Sequence, residues 1–174
     1  MKDIKDYITS IPDFPSEGII FRDITSVLEN EEGYALAIDE MNKFLEGVDY
    51  NVIAGTESRG FIFGAPLAYI NKKSFVPVRK KGKLPRATVE RSYELEYGTA
   101  TIEIHKDAIK PGDKVVLVDD LIATGGTIEA AAKLIEELGG EVVKMVFLIE
   151  LTDLGGRDKL KDYVIESVVQ YEGE

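Results

Sequence analysis

The sequence predicts an α/β fold with a central, mostly parallel sheet flanked by helices, and a β-hairpin next to that sheet. Three observations support this fold class. Short apolar runs alternate with amphipathic segments, as expected for parallel strands joined by right-handed helical crossovers. Residues 90–105 alternate polar and apolar side chains around Gly98, which indicates a hairpin. The length of 174 residues suits one domain, so residues 1–174 are expected to form a single domain.

Local patterns place the helices and strands in order along the chain. They are helix 31–46, strand 50–54, helix 59–70, strand 74–79, hairpin 90–105, strand 115–118, a helix that opens near 127 and stops at Gly139, strand 142–149 and strand 164–169. Apolar residues at helical spacing indicate the first helix, and the second is expected despite Gly64 and Pro66. Pro77 indicates that strand 74–79 lies at a sheet edge or contains a bulge.

The composition excludes several classes of function. The chain has 21 basic and 32 acidic residues, a net charge of −11, so we expect no nucleic-acid binding by bulk electrostatics. It has no cysteine, which excludes disulfides, thiolate metal sites and a cysteine nucleophile. No apolar run approaches the length of a transmembrane helix, so we expect no membrane contact and a cytoplasmic location. Eight of the basic residues lie between Lys72 and Arg91. Alone, this cluster indicates a solvated basic loop; together with the phosphate site described next, it favours local binding of a polyanion.

The segment 115–127 carries the strongest functional signal. An apolar strand ends at Asp119 and Asp120, and Ala123-Thr124-Gly125-Gly126-Thr127 then opens a helix. A helix start presents unpaired backbone N–H groups and the positive end of the dipole, which favour a phosphate. Glycines allow the backbone to wrap that phosphate as a nest, while the carboxylates can accept hydrogen bonds from sugar hydroxyls. The pattern therefore predicts a site for a ribose 5-phosphate group.

This segment resembles the phosphoribosyl-diphosphate (PRPP) binding motif of the type I phosphoribosyltransferases. The rest of the chain resembles the adenine-specific group of that family, on the segments Ile11–Pro15, Gly18–Ile24, Gly55–Phe61, Arg79–Pro85, Tyr93–Gly98 and Glu150–Thr152. The resemblance implies a type I phosphoribosyltransferase-like fold, with the hairpin as a hood over the active site and a flexible region at about 80–104. It also implies a purine salvage reaction, adenine + PRPP → AMP + diphosphate, with Mg²⁺ carried mainly by PRPP, and a homodimer.

The resemblance assigns roles to individual residues. Glu96 would transfer the proton of the base, with the hood closing to deliver it. Residues expected to bind the phosphate and ribose of PRPP are Asp119, Asp120, Ala123, Thr124, Gly125, Gly126 and Thr127. Residues expected to bind the diphosphate are Glu57, Ser58, Arg59, Arg79 and Lys83. Phe21 would stack on adenine, Ile20 would recognise it through the main chain, and Arg59 would also contact the base. The Glu57–Ser58 peptide bond is a candidate for the cis form.

Two alternatives keep the same fold. One is a 6-oxopurine phosphoribosyltransferase, which the segment around Phe21 disfavours, and the other is a non-catalytic regulator that senses PRPP, which the acidic charge disfavours. The single histidine, His105, is expected at the surface or at a hinge, with no catalytic role.

Overall fold

The computed structural model describes residues 2–95 and 97–173. The strands are β1 (Thr9–Pro12), β2 (Ile20–Asp23), β3 (Val52–Thr56), β4 (Ser74–Lys80), β5 (Thr88–Glu94), β6 (Thr99–His105), β7 (Lys114–Ile122), β8 (Glu141–Leu151) and β9 (Ile165–Tyr171). The α-helices are α1 (Thr25–Leu28), α2 (Glu31–Lys43), α3 (Arg59–Asn71), α4 (Gly126–Glu137) and α5 (Gly156–Lys159), and short 3₁₀ helices cover Ile4–Tyr7 and Thr152–Leu154.

Seven strands form the main sheet in the order β5-β6-β4-β3-β7-β8-β9. Five consecutive strands of this order, β4-β3-β7-β8-β9, are parallel to one another. The β5–β6 hairpin is antiparallel and joins the sheet through two residue pairs, Arg79 with Glu103 and Lys80 with Ile102. The predicted α/β class with a mostly parallel sheet and a hairpin is therefore confirmed. In such a sheet the loops that follow the parallel strands meet along one edge, where ligands usually bind.

The hydrophobic core occupies both faces of the sheet. Along β7, Val116 and Val118 pack on the side of α2 and α3, while Val115 and Leu117 pack on the side of α4. This alternation follows from the two-residue period of a strand. Because both faces are covered, residues 115–118 of β7 are all apolar, and the two carboxylates follow them directly.

The predicted helices and strands of the main sheet are confirmed, with shifted ends. Helix α3 runs through Pro66 without a break, and its buried residues pack on β3. Pro77 lies in the part of β4 that pairs only with β3, because β6 pairs with β4 only at Arg79 and Lys80. The strand predicted at 115–118 continues to Ile122 because its polar end remains paired with β8. The short pair β1–β2 was not predicted, since four-residue strands leave little periodicity to detect.

The expectation that His105 lies at the surface is wrong. Its side chain is buried at the end of β6, where the backbone N–H of Arg86 donates a hydrogen bond to its Nε2 atom over 3.4 Å. His105 pairs with Thr88 of β5, and Arg86 lies against its ring. The end of a strand alone does not predict these contacts. Among the described residues, no helix is both long and apolar enough to cross a membrane.

Candidate active site

A cleft of about 300 Å³ opens at the carboxyl ends of the parallel strands. It is lined by Thr56, Glu57, Arg59, Val78, Lys80, Tyr93, Ile102, the continuous run from Asp119 to Thr127, and Ile128. All seven residues that the sequence assigned to the phosphate and ribose are in this set. The loops after β3, β4 and β7 therefore meet in one place, together with the hairpin.

Residues 123–127, here called the phosphate loop, form one wall of the cleft and open helix α4. Gly125 is the N-cap of α4 with φ of 83°, a left-handed conformation that favours glycine. No side chain in the described part of the chain caps this helix start, so its first N–H groups are left for an external acceptor. Glu129 N–H donates to the Gly125 carbonyl and begins the helical pattern. The geometry is that of an anion site built from backbone donors.

A second uncapped helix start follows β3, and its helix packs on the face of the sheet opposite to α4. Helix α3 begins at Arg59, and Ser58 provides no side-chain cap. The Glu57–Ser58 peptide bond just before it is cis. Gly60 allows α3 to approach β7 closely, since a Cβ atom there would lie 2.9 Å from Asp119 Oδ1 and 3.1 Å from the Val118 carbonyl oxygen. The cleft is thus flanked by two helix N-termini, each able to attract negative charge.

Asp119 and Asp120 lie between these two helix starts. Asp120 is buried and forms an ion pair with Arg59, whose Nε atom lies 2.9 Å from Asp120 Oδ2. The Asp120 N–H donates a hydrogen bond to Asp119 Oδ1 over 2.8 Å. Burial raises the pKa of Asp119 well above its usual value, and the neighbouring Asp120 charge raises it further. The cleft therefore holds carboxylate acceptors close to donors for anions.

Tyr93 connects the hairpin to the phosphate loop. The Thr127 hydroxyl donates a hydrogen bond to the Tyr93 hydroxyl over 3.0 Å, and both residues line the cleft. Ile102 of the paired strand also faces the cleft. The hairpin therefore lies beside the predicted phosphate site. Glu96, the expected proton-transfer residue, lies outside the described residues.

A buried carboxylate, Glu103, holds the basic turn that precedes the hairpin. Leu84 N–H donates to Glu103 Oε1 over 2.9 Å. Burial alone would raise the pKa of Glu103, but hydrogen bonds from the backbone N–H groups of Gly82, Lys83 and Leu84 and from the Thr88 hydroxyl hold it below the usual value. This turn is thus anchored to β6.

Several predicted binding residues do not line the cleft. These residues are Ile20, Phe21, Ser58, Arg79 and Lys83. Phe21 lies on β2, where its ring meets Phe14 edge-on at a centroid distance of 5.2 Å, and Ile20 is 38% exposed. Arg79 Nε lies 3.3 Å from Glu57 Oε1. Of the three predicted base-binding residues, only Arg59 therefore lines the cleft with the predicted phosphate site, and Ile20 and Phe21 lie outside its lining.

Sequence reasoning missed Lys80 and Tyr93 as cleft residues. Lys80 is the last residue of β4, and its N–H donates to Glu57 Oε1 over 2.6 Å. The sequence contained a feature that could have indicated each position: Lys80 ends a predicted parallel strand, and Tyr93 lies on the apolar face of the predicted hairpin. Neither could be distinguished from its neighbours without the register of β4 with β6.

Comparison with known proteins gives the family. The sequence model of the family described as phosphoribosyl transferase domain matches residues 25–172 of this chain. The adenine phosphoribosyltransferase of Agathobacter rectalis is 66% identical over the full length of both chains. The chain belongs to the adenine phosphoribosyltransferases. The crystal structure of a family member from Thermoanaerobacter pseudethanolicus superposes with a TM-score of 0.93 at 55% identity, covering 97% of this chain and 98% of that one.

A second solved member of the family contains ligands. The adenine phosphoribosyltransferase of Saccharomyces cerevisiae, complexed with adenine and an imino-altritol bisphosphate, is 41% identical with a TM-score of 0.91, covering 95% of this chain and 96% of that one.

Proposed function

We propose that this adenine phosphoribosyltransferase converts adenine and PRPP to AMP and diphosphate in the cleft at the carboxyl ends of β3, β4 and β7. One observation carries the assignment to this cleft: two uncapped helix starts flank a pair of carboxylates. A ligand with a phosphate at one end, a diol in the middle and a diphosphate at the other matches that order of donors and acceptors.

The phosphate loop is proposed to bind the 5′-phosphate. Backbone N–H groups at the start of α4 and the hydroxyls of Thr124 and Thr127 provide donors, and hydrogen bonds to a charged group contribute about 1.5–3 kcal/mol each. Asp119 and Asp120 would accept hydrogen bonds from the ribose hydroxyls. The start of α3, together with Arg59 and Lys80, would face the diphosphate. Arg79 and Lys83 stay predictions, since they lie outside the cleft lining.

In the proposed reaction, the C1′–oxygen bond to diphosphate breaks with its electron pair on the leaving group, and N9 of adenine bonds to C1′. The ribose ring becomes cationic on the way, and the carboxylates of Asp119 and Asp120, which are proposed to hold the ribose, would lie near this developing charge. The N9 proton passes to a carboxylate, which the family resemblance assigns to Glu96. Phe21, Ile20 and Arg59 are proposed to bind the base, on the same resemblance. Closure of the hood would exclude water from the cationic centre.

Mg²⁺ is proposed as the cofactor. Among the described residues there is no group of three or more His, Cys, Asp or Glu side chains placed to hold a metal. The oxygen donors of Asp119 and Asp120 suit Mg²⁺, and a metal held mainly by PRPP oxygens needs few protein ligands. When bound, Mg²⁺ neutralises charge on the diphosphate. The single domain over residues 1–174, the homodimer and the cytoplasmic location stay predictions.

The test is a panel of bases. The protein is incubated with PRPP, Mg²⁺ and either adenine, hypoxanthine, guanine or xanthine, and the nucleotide product is detected. We expect AMP from adenine and little product from the others. Product from the 6-oxopurines instead would support the first alternative. PRPP binding without product, together with a gel shift on DNA at moderate salt, would support the PRPP-sensing regulator.

A further inference from the structure

The segment after β8 packs directly against the back of the phosphate loop. Gly156 has no room for a side chain, because a Cβ atom there would overlap the Ala123 carbonyl oxygen and lie 2.9 Å from Ile122 Cγ1. From the other side, a Cβ atom on Gly125 would lie 3.2 Å from the Gly156 carbonyl oxygen. The two backbones are therefore in contact on the side of the loop that faces away from the cleft.

An ion pair anchors this segment to the sheet. Arg157 donates from Nε and Nη2 to the two carboxylate oxygens of Glu150, over 2.9 and 2.6 Å, and from Nη1 to the Ile165 carbonyl over 3.0 Å. Glu150 is 4% exposed and also accepts from Ser167 and Gln170. The Arg157 hydrogen bond is the main cause of the lowered pKa of Glu150. Such two-pronged geometry is specific to arginine.

We infer that Gly156, anchored by the Arg157–Glu150 pair, is a positioning residue that fixes the conformation of the phosphate loop. The loop contains a left-handed glycine and has no side-chain cap of its own. The N–H donors of the loop can converge on a phosphate only while the backbone at 123–125 keeps this conformation. The backbone of Gly156 packs against residues 123 and 125 and prevents the loop from moving toward it. This inference rests on the proposed role of residues 123–127 in binding the 5′-phosphate.

The first test is Gly156→Ala, with AMP and adenine binding measured by calorimetry. The added methyl group must displace Ala123, so we expect the Kd for AMP to rise by more than about tenfold, equivalent to losing one charge-assisted hydrogen bond. The Kd for adenine, which has no phosphate, should change little. In turnover, KM for PRPP should rise while KM for adenine stays the same. Gly155→Asn is the control, because Gly155 has open space and asparagine tolerates its left-handed backbone.

The second test adds no atom to the contact between Gly156 and the phosphate loop. Arg157→Met removes the ion pair and should also weaken AMP binding, whereas Arg157→Lys should recover part of the affinity. If Gly156→Ala does not fold, the two Arg157 variants test whether this segment fixes the conformation of the phosphate loop. Unchanged AMP affinity in a folded Gly156→Ala protein, or equal losses for AMP and adenine, would overturn the inference. A wild-type protein that fails to bind AMP would instead overturn the proposed function, and this inference with it.

Discussion

Replacing Gly126 with valine should separate phosphate binding from folding. Gly126 has ordinary helical backbone, and a Cβ atom there would meet only Tyr93 Cδ2, at 3.6 Å. That distance is a normal van der Waals contact, so the fold should accept the first added carbon. We expect the two further methyl groups of valine to enter the volume that the 5′-phosphate is proposed to occupy, because Gly126 lines the cleft.

The size of the effect follows from the bonds that are lost. Losing one hydrogen bond to a charged phosphate costs about 1.5–3 kcal/mol, which corresponds to a Kd increase of roughly 10- to 150-fold for AMP. Calorimetry with AMP measures the affinity, and thermal unfolding confirms that the variant is folded. Gly126→Ala, which adds only the tolerated Cβ, should lose much less affinity. AMP binding within about twofold of wild type in folded Gly126→Val protein would refute the backbone nest.

The remaining predictions concern the base, the proton and the paired carboxylates. Phe21→Ala should weaken adenine binding by roughly 1–3 kcal/mol and PRPP binding less; equal losses with a large fall in Tm would make Phe21 a core residue. Glu96→Gln should lower the single-turnover rate by about 10²–10⁴-fold with PRPP affinity kept, while Glu94→Gln, an exposed hairpin control, should not; a near wild-type rate for Glu96→Gln would end the assignment. Because the pKa of Asp119 is raised on folding, its ionisation destabilises the protein at neutral pH, and this cost disappears as the pH falls through the folded pKa. Asp119→Asn should therefore raise Tm at neutral pH but not in acid. It should also weaken PRPP binding and reduce the further loss of PRPP affinity as the pH falls. A pH dependence of Tm and PRPP affinity equal to that of wild type, or of the surface control Asp162→Asn, would contradict this.

The main sheet was predictable because its strands are buried on both faces. Runs such as 115–118 have to be apolar, and the helices between them carry one apolar stripe each, so both periods appear in the sequence. Local patterns fail where structure depends on contacts between distant residues. The burial of His105 requires the register of β5 with β6, and the cleft position of Lys80 requires the contact of β4 with β6.

The phosphate loop was predictable for a related reason: a strand, two carboxylates and a glycine-rich helix start are contiguous in the chain. The predicted base-binding residues Ile20 and Phe21 are not contiguous with it, and both lie on a separate two-stranded sheet. Gly156 lies about thirty residues after the loop it contacts, and nothing in its local sequence distinguishes it from Gly155. Only the packing of the two backbones shows which of these glycines has to stay a glycine.

The charges around the cleft explain how an acidic protein can bind a polyanion. Arg59 is paired with Asp120, and Arg79 with Glu57, so these guanidinium groups already have carboxylate partners before any ligand enters. A ligand that binds them has to compete with those carboxylates, and the net gain is smaller than for a free cation. The backbone donors at the starts of α3 and α4 have no side-chain competitor at their caps. Most of the phosphate affinity should therefore come from main-chain N–H groups, which cannot be removed by substituting a basic side chain.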